Sequence, residues 1–77
     1  MRIITAVEII LRMYDDLQAG HSIKLIDVCR IYDISIPTFH RYIALLRSYL
    51  WQEHTKTLVY HERNNEYRIQ EEENIII

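Results

Sequence analysis

Apolar and polar residues repeat at helical spacing through the first fifty positions and at strand spacing after them. Ile3, Val7, Ile10 and Tyr14 fall at i, i+4, i+7 and i+11, one apolar stripe of a helix predicted from Ile3 to Tyr14. Ile4 and Leu11 form a second stripe beside it, so this helix is expected to be buried on more than one side or to meet a partner. Residues 15–21 read as a polar break that holds the only glycine, Gly20, expected at positive φ. Ser22-Ile23-Lys24 then leads into a short helix, Leu25 to Tyr32, whose face is Leu25, Val28, Cys29 and Tyr32. Asp33 follows in the next break, and Asp tolerates the left-handed conformation better than most residues.

Ser35 is a good N-cap, and Pro37 sits in the first turn behind it, where a missing N–H costs nothing. The third helix is predicted from Ile36 to Leu50, with Phe39, Ile43, Leu46 and Leu50 as its core stripe and Ile34 stapled onto it. After Trp51 the period becomes two. Residues 57–61 and 66–70 alternate as strands, and Arg63-Asn64-Asn65 supplies the turn between them. The predicted fold class is mainly α (α+β), three helices followed by a two-stranded β-hairpin. It occupies residues 1–70 as one domain, with 71–77 left as an acidic and apolar tail.

Charge and composition narrow the function classes. The chain of 77 residues is one small domain, and 49% apolar residues with one Gly and one Pro describe a folded chain. The single cysteine, Cys29, excludes an internal disulfide and fits a reducing compartment. No apolar run approaches the ~20 residues that span a bilayer, and the N-terminus lacks the pattern of a signal peptide, so the expected location is cytoplasmic, away from membranes. The net charge of −2 opposes nucleic-acid binding, but the acids are unevenly placed. Glu71, Glu72 and Glu73 lie in the tail. Between Ile34 and His61 the only acid is Glu53, against Arg41, Arg47, Lys56 and the histidines His40, His54 and His61.

Two short helices joined by a tight turn, the second capped by serine, form a helix-turn-helix pattern, and a hairpin directly after it is a wing. The segments Gly20 to Cys29, Ile34 to Ile43, Leu46-Arg47, and the hairpin Leu58 to Ile69 resemble the N-terminal winged helix-turn-helix domain of DeoR-type bacterial transcription regulators. The resemblance spans roughly residues 2 to 70, through short and degenerate motifs. It implies double-stranded DNA binding in transcription control, with the third helix in the major groove and the wing on the backbone or in the minor groove. Around the cap the family pattern is Val-Ser-x-x-Thr-Ile-x-Arg-Asp-Leu. Ser35, Thr38 and Arg41 match its Ser, Thr and Arg, which implies that they touch phosphates or orient the helix, and His40 holds a variable position facing the groove. The chain departs from the pattern at Ile36-Pro37, usually polar or basic, at Tyr42 for Asp, at Asp33 for the turn glycine, and at Lys24 for the cap of the second helix. Ile36 and Pro37 cannot make bidentate hydrogen bonds to bases.

The candidate DNA-binding residues are therefore Ser35, Ile36, Pro37, Thr38, His40, Arg41 and Arg47, with Arg63, Asn64 and Asn65 at the wing tip. Solvated arginines on an amphipathic helix would equally account for Arg47, and ordinary turn chemistry for the two asparagines. The spacings of His21, His40, His54 and His61 fit no zinc pattern, and Cys29 belongs to a core stripe. No Gly-rich phosphate loop or nucleophile–base pair points to catalysis, and no cofactor is implied. Ile26, Ile31 and Ile36 fall off the core stripes. They support an alternative, in which the same scaffold is a small phage- or plasmid-type adaptor or antagonist that binds another protein. A homodimer on a palindromic or repeated site is also expected, through the double stripe of the first helix or the apolar end of the tail.

Overall fold

The computed structural model describes residues 4–70. They form three helices and a three-stranded antiparallel sheet. Helix α1 spans Ala6–Gln18, strand β1 Ile23–Lys24, helix α2 Leu25–Tyr32, helix α3 Ile36–His54, strand β2 Thr57–His61 and strand β3 Glu66–Gln70. The sheet order is β1-β3-β2, so β3 is central. Residues 71–77, and with them the apolar end of the tail, lie outside the described residues, as does Ile3.

Each helix is bounded by identifiable chemistry. The Thr5 hydroxyl accepts from the Glu8 N–H and opens α1. Gly20, at φ +86°, closes it: the His21 N–H donates to the Asp16 carbonyl (2.9 Å) and the Gly20 N–H to the Leu17 carbonyl (3.1 Å). This pair of bonds is the Schellman arrangement, which satisfies carbonyls the helix leaves open. Asp33 closes α2 in the left-handed conformation, φ 52° and ψ 52°, with the Ile34 N–H reaching back to Cys29. Ser35 caps α3 by accepting from the Thr38 N–H. Thr55, also left-handed at φ 53°, ends α3 four residues beyond the predicted Leu50.

Helix α1 departs from expectation in length and in phase. It continues to Gln18, because Asp15 and Asp16 fall on the solvent face and leave the turn intact. The buried positions are Ile9, Met13 and Leu17, while Val7 and Leu11 are exposed and Ile10 and Tyr14 only half-buried. Of the predicted stripe, Val7, Ile10 and Tyr14 are therefore the flank of the buried face. The sheet is also more than the predicted two-stranded hairpin. Residues Ile23 and Lys24 are extended and pair with Tyr67 and Glu66, adding a third strand where a lead into a helix was expected.

The core gathers one side of every element. Ile9, Met13 and Leu17 of α1, Ile23 of β1, Val28 of α2, Phe39, Ile43, Leu46 and Leu50 of α3, and Leu58 and Tyr67 of the sheet form one cluster. All four predicted α3 core residues are in it, Phe39 and Leu50 fully buried. Ile34 and Cys29 pack against its edge. A polar chain ties the helix ends together: Lys56 Nζ donates to Gln18 Oε1 (2.9 Å), Gln18 Nε2 to the Tyr14 hydroxyl (2.8 Å), and that hydroxyl bonds His54 Nε2 (2.9 Å).

Candidate nucleic-acid interface

The predicted site residues divide into three sets. The first is a row of exposed groups on the opening turns of α3. The Ser35 hydroxyl donates to Thr38 Oγ1 (2.9 Å), and the Arg41 guanidinium donates to the same oxygen from the other side (3.2 Å). Ser35 and Arg41 are exposed and Thr38 half-buried. The i, i+3, i+6 spacing winds these residues around successive turns, so each can reach only its neighbour. The result is one ordered strip that carries a hydroxyl and a cation beside the positive end of a helix whose first turn holds no acid. Ile36 and Pro37, exposed, occupy the same turn.

The second set surrounds a groove of about 640 Å³ between α2, α3 and the hairpin. His40 from α3 stands on one wall, Asn64 and Asn65 on another, and Lys24, Ile26 and Asp27 close the third. Tyr60 and Tyr67 line the hairpin side, with ring centroids 4.9 Å apart. The structure thus brings His40 and the hairpin asparagines together across a gap. The asparagines are already engaged in holding the turn. Asn65 takes positive φ (51°) and its side-chain oxygen accepts from the Tyr60 hydroxyl (2.8 Å). Asn64 bonds the Glu66 carboxylate. Arg63 is exposed at the tip.

The third set is Arg47 alone. Its Nε donates to the Leu58 carbonyl at 3.3 Å, fastening α3 to the edge strand β2. Six residues separate Arg41 from Arg47, which is roughly 120° around a helix, so the two do not share a face. Arg47 serves the packing of the hairpin against α3.

Glu66 was not singled out from the sequence, and it organises the base of the hairpin. Its side chain is buried within the sheet (residue exposure 7%) while Arg68 Nε lies 3.0 Å from its carboxylate. A hydrogen bond from Ser22 is the main influence that holds this carboxyl below its ordinary 4.5. The charges of Arg68 and Lys24 and a bond to Asn64 act in the same direction, against the opposing effect of burial. One carboxylate therefore joins β1, β3 and the turn. Tyr60 and Lys24 were missed as groove residues too. Tyr60 had a legible signal, since Tyr60 and Tyr67 are equidistant from the turn and so directly opposed.

Among the described residues no three His, Cys, Asp or Glu side chains converge as a metal site, and no helix is long and apolar enough to cross a membrane. Comparison of the chain with protein-family models, curated proteins and solved structures finds no match in any of the three.

Proposed function

We propose that the chain is a winged helix-turn-helix domain that binds double-stranded DNA in transcription control, with α3 in the major groove and the β2–β3 hairpin as the wing. The observation that carries this reading is the strip of Ser35, Thr38 and Arg41. Hydroxyls, a guanidinium and a helix N-terminus are the groups that hold phosphate oxygens and fix register on a duplex. Their mutual hydrogen bonds order them before any ligand arrives, which lowers the entropy cost of binding. The absence of acids from Ser35 to Gln52 keeps the opening turns of α3 free of repulsion from phosphates. His40 and Arg63 extend the contact into the groove and onto the wing. A palindromic or repeated site would be met by two copies.

Fluorescence anisotropy against a random duplex pool at low salt tests the reading. Binding should weaken linearly on a log–log salt plot, with a slope of about −0.9 per phosphate neutralised. Arg41→Ala should make that slope shallower by about one such unit and weaken every sequence alike. An absence of binding to any duplex at low salt would overturn the proposal.

A second reading has its own observation. Ile26 (64% exposed), Ile31 (69%) and Ile36 (55%) stand in water near the proposed DNA face of a chain with net charge −2. On that reading the domain is an adaptor or antagonist, and these residues dock on another protein. A defined complex that survives high salt and is lost with Ile36→Asp favours it.

A further inference from the structure

The outward face of α3 over its first three turns is chemically narrow. Ile36, His40 and Ala44 follow one another at i, i+4 and i+8, with Pro37 alongside, and all are exposed. Arg47, the next residue that could hydrogen-bond a base edge from this side, commits its Nε to the Leu58 carbonyl. No Arg, Lys, Asn or Gln remains on these turns except Arg41, which is bound into the strip with Thr38. The polar groups able to make bidentate pairings are thus confined to Arg41 and Arg47, and Ile36, Pro37 and Ala44 offer none. What remains at its leading edge is an apolar surface, Ile36 more than half exposed beside the Pro37 ring. One apolar group distinguishes base pairs in the major groove, the C5-methyl of thymine. The cationic and hydroxyl strip on the same turns supplies the charge complementarity that would seat this surface against a duplex.

We propose that Ile36 and Pro37 recognise thymine C5-methyl groups, so that the first turn of α3 selects A·T pairs in the major groove by apolar contact. This rests on the DNA-binding reading and goes beyond it by naming the base feature that is read. Ser35, Thr38 and Arg41 hold the backbone and set the depth, and the two apolar side chains remove the methyl from water. Burial of one methyl group is worth about fourfold in affinity.

The test compares three duplex polymers at fixed low salt: alternating poly(dA-dT), its deoxyuridine counterpart poly(dA-dU), and alternating poly(dG-dC). Deoxyuridine removes the methyl and keeps the base-pairing edge. The wild-type chain should bind the thymine duplex at least about fourfold more tightly than the uracil duplex. It should bind the dG-dC duplex more weakly than the thymine one. The double variant Ile36→Ala, Pro37→Ala, checked for helix content by circular dichroism, should bring the thymine-to-uracil ratio towards one. Arg41→Ala should weaken both and leave the ratio intact. Equal wild-type affinity for thymine and uracil duplexes overturns the inference and leaves DNA binding standing. An undiminished ratio in the folded double variant overturns the assignment to Ile36 and Pro37. Binding to none of the three overturns the inference together with the reading beneath it. The wild-type comparison needs no variant, so it decides even if the double variant fails to fold.

Discussion

Two side chains do more than their type suggests. Arg47 donates to the Leu58 carbonyl of the edge strand, so Arg47→Ala should destabilise the fold by about 1 kcal/mol, read from the urea midpoint. On the DNA-binding proposal it should leave the salt slope of binding nearly unchanged, the opposite of Arg41→Ala. Glu66 links stability to acidity. Its carboxyl titrates lower in the folded chain than in the unfolded one, so the charged form contributes stability above the unfolded value near 4.5. That contribution disappears as pH falls through the folded value. The urea midpoint of the wild type should therefore drop on acidification below about pH 4.5, and Glu66→Gln should start lower at neutral pH and show a smaller drop. A variant with the full wild-type dependence would remove Glu66 as its source. Neither role was legible in the sequence. An arginine on an amphipathic helix and a glutamate opening a strand have many ordinary uses, and only the packing of distant elements selects one.

Helix ends were easier to read than helix faces. Ser35, Asp33 and Gly20 were legible because caps and left-handed turns depend on local backbone chemistry. Positive φ at Gly20, with no atom near where a Cβ would stand, means that Gly20→Ala costs backbone strain alone. About 1 kcal/mol is expected, measured by thermal or urea unfolding. Thr55 is the converse case, a β-branched residue at φ 53°. Thr55→Gly should raise stability by a similar amount, and a loss would show that the side chain makes a compensating contact. The α2 and α3 core stripes were legible because polar residues interrupt them on the other faces. The phase of α1 was not, because Ile4, Val7, Ile9, Ile10 and Leu11 put apolar groups at nearly every angle. Strand β1 escaped for another reason: two residues cannot display an alternation, and they become a strand only because β3 offers them a partner. Of the candidate site, Ser35, Thr38 and Arg41 were named through the family pattern that the sequence resembles, while the groove beside His40 depends on where the hairpin lands.

Taken whole, the molecule has little stability in reserve. A chain this size is held by roughly 4–12 kcal/mol, and removing a fully buried phenyl ring costs about 3–5. Phe39→Ala should therefore remove roughly a third or more of that stability, read from the urea midpoint, and a loss under about 2 kcal/mol would show that the cavity collapses. The apolar flank of α1, with Val7 and Leu11 exposed, is where the dimer in the proposal would form. Sedimentation should then show a dimer for the wild type and a monomer for Leu11→Asp, and a monomer for both would withdraw that element. Helix α3 meanwhile separates its duties by face. Phe39, Ile43, Leu46 and Leu50 look inward, and Ile36, Pro37, His40 and Ala44 carry none of the core. Those four positions form a cassette that can be rewritten without loss of the scaffold. Drift in what this surface recognises would then meet little resistance from folding, and a library randomised at these sites should yield mostly well-folded members.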